Sequence, residues 1–259
     1  MSYDIGINFR ETSGFVTDPA NTTYSLGEAY PTTRSMATSG LSVTFGFATT
    51  DIVPYMRDRD SGIDPRLAGM AQANALAIGD QLFRIDLPAS GTWQVNLAAG
   101  ENNYPQSASW QVLDSDGSTV LASQTSTAVS AANWRDASQV NRTSAADWVS
   151  NNAPINVTFS GTTAYLKLVS VTPASVMSHF RLYQASSGAT VSTITGTTAT
   201  EASAVVFTTT MSGTGGGTFA YSWSGTATAA DYTTTLTTGM CAVTGGSGSR
   251  SEERRVGKE

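Results

Sequence analysis

Histidine and cysteine are almost missing from this chain: 259 residues hold one of each. The lone cysteine, Cys241, excludes a disulfide framework and a thiolate metal cluster within the chain. The lone histidine, His179, is the only residue through which a Ser-His-Asp scheme could pass. Neither a G-x-S-x-G elbow nor an H-E-x-x-H pair is present. Charge is also scarce. Asp, Glu, Lys and Arg make up 13% of the chain, where about a quarter is usual; Ser, Thr, Ala, Gly and Asn take their place. The net charge is −6 and no basic block exists, so little is gained from neutralising phosphates and nucleic acid is not an expected partner. No run reaches the roughly 18 apolar residues of a membrane span, so membrane insertion is not expected. The opening MSYDIGINFRETSG lacks a charged start followed by an apolar run, and no signal peptide is visible. A surface polar through hydroxyls and amides is common in secreted and virion proteins, and an extracellular or virion location is the expectation.

What is present is alternation. Leu41, Val43, Phe45 and Phe47 alternate with small or polar residues, as do Phe83, Ile85 and Leu87, then Trp93, Val95 and Leu97. Ile155, Val157 and Phe159 repeat the pattern, followed by Ala164, Leu166 and Leu168, and by Phe180 and Leu182. This is the period of half-buried strands. Turn residues at Pro88-Ala89-Ser90-Gly91 and Asp114-Ser115-Asp116-Gly117 predict two hairpins. Helical signals are thin: RLAGMAQANALAIG from Arg66 holds internal glycines and is read as loop. TSAADWVS from Thr143 is read as loop-borne, with one or two turns at most, capped by Thr143 or Ser144. Many short strands between turn signals predict an all-β chain.

Composition shifts near Ser186-Ser187-Gly188. The stretch beyond is rich in Thr, Ala and Gly, yet it carries the run Val205-Val206-Phe207 and the alternating Phe219, Tyr221 and Trp223, which a linker does not need. A second small β-domain is expected there. The last ten residues, RSEERRVGKE from Arg250, match in order the translation of a common sequencing adapter. Residues 250–259 are therefore expected to be an artefact tail, with the natural chain continuing past Ser249. Without them, four being basic and three acidic, the net charge moves from −6 to −7.

The second domain resembles the Calx-beta family in ATVSTITGTTATEASAVVFTTTMSG and in SWSGTATAADYTT. That resemblance implies an immunoglobulin-like sandwich over residues 187–249, incomplete here, of a kind that in some members binds calcium. The acidic residues at matching positions are Glu201 and Asp231. Two carboxylates fall short of the six to eight oxygens that calcium takes, and the favoured reading of Asp231 is a turn cap before Tyr232. Residues 1–186 resemble the galactose-binding-like jelly rolls of malectin and carbohydrate-binding modules. DIGINF, Tyr24 with Gly27, VTFGF at Val43, SHFRLYQ and above all FRIDLPASGTWQVNLAAG at Phe83 carry this likeness. Trp93 takes the place of the tyrosine usual in those relatives. The expected architecture is thus an antiparallel jelly-roll β-sandwich followed by a partial immunoglobulin-like one.

Two clusters are candidates for ligand contact. Arg57, Asp58, Arg59 and Asp60 open RDRDSGIDPR, the densest charge outside the tail. Three readings stand: a cation loop through Asp58, Asp60 and Asp64, sugar recognition by paired donors and acceptors, or an Arg–Asp network pinning a long loop. An EF-hand would need Gly at the sixth position and Glu at the twelfth, and the sequence has neither. The second cluster is Trp134, Arg135 and Asp136, an aromatic beside two charges. Sugar sites stack a ring face on an aromatic plane and fix hydroxyls with polar neighbours. Trp110, Trp134 and Trp148 are possible platforms, each of which could equally fill the core or cover an edge; Trp134 lies outside any alternation and is the best exposed candidate, while Trp110, alternating with Val112, is expected in the core. His179 shares a face with Arg181 and Tyr183 and is placed on the solvent side, with no catalytic role expected. These features predict a non-catalytic bacterial or phage surface protein that binds a polysaccharide or cell-surface glycan. The alternatives are the accessory region of a lyase or esterase, and a virion tail or decoration protein without glycan binding.

Overall fold

The computed structural model describes residues 2–48, 52, 55–74 and 79–184, and beyond them the backbones of five strands. The chain divides into two compact units, Tyr3–Gln184 and the remainder. In the first unit, one sheet holds seven strands. Its order is β12 (Asn141–Arg142), β11 (Asn133–Arg135), β8 (Gly91–Glu101), β16 (His179–Gln184), β1 (Tyr3–Phe9) and β2 (Thr22–Ser25), with β13 (Ile155–Phe159) also paired to β8. The other holds nine: β3 (Thr32–Ser35), β4 (Ser42–Phe47), β7 (Gln81–Asp86), β14 (Thr163–Leu168), β9 (Gln106–Leu113), β15 (Ser175–Met177), β6 (Gly69–Ala73) and β5 (Met56–Asp58), with β10 (Val120–Val129) also on β9. The result is an all-β, jelly-roll-like sandwich. Its strands pair antiparallel except for β1 with β2 and the single contact of β15 with β9, and two isolated bridges, Ala29–Phe47 and Asn74–Val171, are parallel as well.

The inward positions of both sheets form one core. Ile5, Ile7 and Phe9, Phe45 and Phe47, Phe83 and Ile85, Trp93, Val95 and Leu97, Leu166 and Leu168, and Phe180 and Leu182 are all buried in it. Phe83 meets the rings of Phe9, Phe45 and Phe47 at centroid distances of 5.1, 5.7 and 4.9 Å. Each such pair adds about 0.5–1.5 kcal/mol beyond area burial. Trp110 is buried there too, as its alternation predicts.

Two local expectations are corrected. The turn at Pro88–Gly91 does not close a hairpin: β7 pairs with β4 and β14, and β8 pairs with β16, β13 and β11, in the other sheet. The chain arches across the core. An arch and a hairpin both bury alternate residues, so alternation alone does not separate them. The second turn does close a hairpin, β9–β10, with Gly117 at φ +70°. The Ala-rich stretch after Arg66 contains strand β6, whose small side chains suit its buried place between β15 and β5. The single helix among the described residues, α1 (Ala145–Asn151), starts at Ser144, whose hydroxyl accepts from the Asp147 N–H at 3.1 Å.

The second unit has a three-stranded sheet, β17 (Thr190–Gly196), β18 (Val205–Ser212) and β21 (Ser247–Glu252), and a strand pair, β19 (Gly217–Ala220) and β20 (Met240–Val243). β21 spans the expected junction between Ser249 and Arg250. Glu201 and Asp231 lie outside the described residues. Among the described residues no helix is long and apolar enough to cross a membrane, and no group of three or more His, Cys, Asp or Glu side chains could hold a metal ion.

Candidate functional site

The outward residues of β8 and β16 form the site. Register sets Tyr183 beside Gln94, Arg181 beside Asn96 and His179 beside Ala98. Their in-between neighbours Val95, Leu97, Phe180 and Leu182 point into the core, which fixes the outward set on the opposite face.

One end of that face is closed. Trp148, reaching over from α1, packs with Trp134, Leu67 and Ala98 as a second apolar cluster. Its indole Nε1 donates to the Leu97 carbonyl at 3.1 Å. His179 lies beneath it, with the two rings edge to face at 5.8 Å. The histidine is wholly buried, where the parity of its strand had placed it in solvent; the parity was right and the covering layer was not foreseen. Its Nδ1 bonds Asn8 Oδ1 at 2.8 Å and its Nε2 has no partner. Burial, then the charges of Arg66 and Arg181, push its pKa down to about 3, so the ring is neutral at ordinary pH. Asn8 Nδ2 in turn reaches Asp18, which pairs with the buried Arg10 at 2.5 Å.

Both sequence clusters gather near the Glu101 end of β8. Arg59 pairs with the buried Glu101, and Asp60 accepts from Asn102 at 3.3 Å and from the Gly62 N–H at 2.7 Å. Asp58 receives the N–H groups of Glu11 and Thr12 and the Thr12 hydroxyl at 2.7–2.9 Å, holding the loop after β1. Arg57 donates to the Met56 carbonyl. These bonds form a loop-pinning network. On β11, Trp134 is fully buried, which removes it as the candidate exposed platform; Trp148 is buried as well. It stands opposite Gly100, whose φ of +156° and missing side chain let the strands approach; a Cβ there would sit 2.2 Å from the Asn133 carbonyl oxygen. Asp136 is also fully buried. It accepts from Arg142, the Ser138 hydroxyl and the N–H groups of Val140 and Ala153, while Arg135 donates to the Gln139 carbonyl. These side chains organise their own loop.

The other end of the face is open. Gln94, Asn96, Pro154, Arg181 and Tyr183 line a groove of about 270 Å³. Asn96 Nδ2 donates to Asn152, but its carbonyl oxygen is buried without a partner. Arg181 grips Asp4 through Nε and Nη2, both at 2.6 Å. This pair holds the guanidinium pKa above its usual value despite partial burial. It uses two of five N–H donors, and the side chain remains 37% exposed. The groove thus gathers planar polar groups around one phenol ring. None of its residues stood among the sequence candidates except through the remark that Arg181 and Tyr183 share a face. The signal available was SHFRLYQ itself, whose outward positions are polar or aromatic. No protein-family model and no curated protein matches the chain with significant similarity.

Proposed function

We propose that the Tyr3–Gln184 unit is a non-catalytic carbohydrate-binding module of the galactose-binding-like kind, that its groove on β8 and β16 holds a sugar, and that the second unit serves as a Calx-beta spacer in an extracellular or virion surface protein. The observation that carries the reading is the groove lining itself, in which the amides of Gln94 and Asn96 and the Arg181 guanidinium stand beside the Tyr183 ring. Gln94 and Arg181 supply acceptors and donors suited to adjacent sugar hydroxyls. Tyr183 offers a ring face to sugar C–H groups and its hydroxyl to water.

Native electrophoresis of the full chain through gels containing xylan, β-glucan, galactomannan or pectin tests this reading. At least one polysaccharide should retard the protein. Tyr183→Ala and Asn96→Ala should each weaken that retardation by at least about tenfold, equal to about 1.4 kcal/mol. Free migration in all four gels, or retardation indifferent to both substitutions, would refute the proposal.

A further inference from the structure

We infer that the same unit carries a second sugar-binding cleft, on the outer face of the nine-stranded sheet, so that one copy of the chain holds two glycans on opposite sides. The inference rests on the glycan-binding reading of this unit. It starts from Leu82, Leu113 and Tyr165, which point away from the core because their neighbours Phe83, Val112, Ala164 and Leu166 point into it. Register sets Tyr165 beside Arg84 and Leu113, and Lys167 beside Leu82 and Gln111. Leu113 is only 3% exposed although it belongs to neither apolar cluster. The cleft over these residues measures about 410 Å³, within the range of roughly 300–1,000 Å³ for small-molecule sites.

The lining selects the ligand class. Half-buried Leu82 gives the apolar floor, with the covered Leu113 beneath it, while Gln111, Ser118, Asp80 and Lys167 give a polar rim. Asp80 is fixed by Lys167 Nζ at 2.7 Å and by the N–H and hydroxyl of Ser170 at 2.8 and 3.0 Å. The Asp80–Lys167 pair is neutral overall, so it favours neither an anion nor a cation. Its carboxylate accepts from hydroxyls, and its ammonium keeps further N–H donors for them. A pyranose matches this set: its C–H face lies on Leu82 and its hydroxyls reach the rim. A lipid chain would leave the rim unpaired, and a free ion would leave the floor uncovered. Gly117, at φ +70°, brings the turn against Tyr165, whose ring lies 3.5 Å from where a Cβ would stand. That turn forms one wall. Since the core lies between the two sheets, a disaccharide in this cleft cannot touch the groove on β8 and β16.

Amide NMR spectra of the full chain titrated separately with cellobiose, lactose, maltose and xylobiose test the inference. Two separate groups of signals should shift, one around Leu82, Gln111, Ser118 and Lys167, the other around Gln94, Asn96, Arg181 and Tyr183. Ser118 is exposed; its backbone N–H and its hydroxyl engage Asp116, which keeps the N–H and hydroxyl of Thr119 as well, so Ser118→Trp should fill the cleft without unfolding the chain. It should weaken the first group's response at least tenfold and spare the second, and Tyr183→Ala should do the reverse. Shifts confined to the second group and untouched by Ser118→Trp would overturn this inference while leaving the proposed function standing. Shifts confined to the first group would overturn the groove and the pairing of two sites, and silence in both groups would overturn the two readings together.

Discussion

The outer face of the seven-stranded sheet has two ends built on the same rule. Along β8 and β16 every second residue points outward, giving Gln94, Asn96 and Ala98 on one strand and Tyr183, Arg181 and His179 on the other. At the Tyr183 end these side chains border an open groove. At the His179 end they lie under Trp148, Trp134 and Leu67 and meet no solvent. Nothing in the two strands produces this difference. It comes from a short helix after Ser144, strand β11 with Trp134 and a loop ending at Leu67, segments remote in sequence from both strands. Strand parity assigns a side chain to a face, and the rest of the chain decides whether that face is wet.

The strongest way to break the contrast is to open the closed end. Trp148→Ala removes the only buried side chain of α1 and its bond to the Leu97 carbonyl. Loss of a large core aromatic costs about 3–5 kcal/mol, and urea denaturation should show a decrease of that size. A loss below about 1 kcal/mol would mean that the cap contributes little and that the two ends differ only in appearance.

A second, smaller effect uses protons. His179 has a folded pKa of about 3 against an unfolded value of about 6.5. Between those values the unfolded chain binds the extra proton, so stability falls as pH falls through this window and is fully present above it. From pH 7.5 to pH 5, above most carboxylate titration, the loss amounts to about 2 kcal/mol. His179→Gln should remove that part of the slope, read from denaturation midpoints at the two pH values. An unchanged slope in the variant would show that the imidazole is not shielded in the native fold. No counterpart is expected at the open end, where the groove holds no histidine.

The same contrast marks how far the sequence could be read. Alternation located the core strands because each inward residue had to be apolar; Phe83, Ile85, Val95, Leu97, Phe180 and Leu182 are all buried. It did not distinguish the Pro88–Gly91 arch from a hairpin, since both satisfy the same parity. Asp114–Gly117 was legible because its turn chemistry joins strands of one sheet. Trp134 was misread because a buried residue on a three-residue strand has no alternation around it to reveal the strand. The groove was legible only in fragments. Its residues come from β8, β16 and the segment before β13, and none forms a local motif. The RDRD cluster stood out by charge density, but charge density alone could not tell a ligand from the protein's own loop.

The smallest effect should come from the open end itself. Arg181→Ala removes a bidentate partner of Asp4, but the pair is partly solvated and Asp4 keeps the Asn21 amide at 3.1 Å. Partly exposed ion pairs contribute about 0–1 kcal/mol, so the change in denaturation midpoint should stay within about 1 kcal/mol. Asp4→Asn should cost as little, and the double variant should show a coupling below about 1 kcal/mol. Polysaccharide retardation of Arg181→Ala should nonetheless weaken, because the guanidinium donors facing the groove are lost. A residue that binding needs and stability does not is what an open face allows; at the covered end, Trp148 should show the reverse. A stability loss for Arg181→Ala as large as that for Trp148→Ala would mean that the polar end is held as tightly as the apolar one, and that its groove is a by-product of packing rather than a surface left free for a ligand.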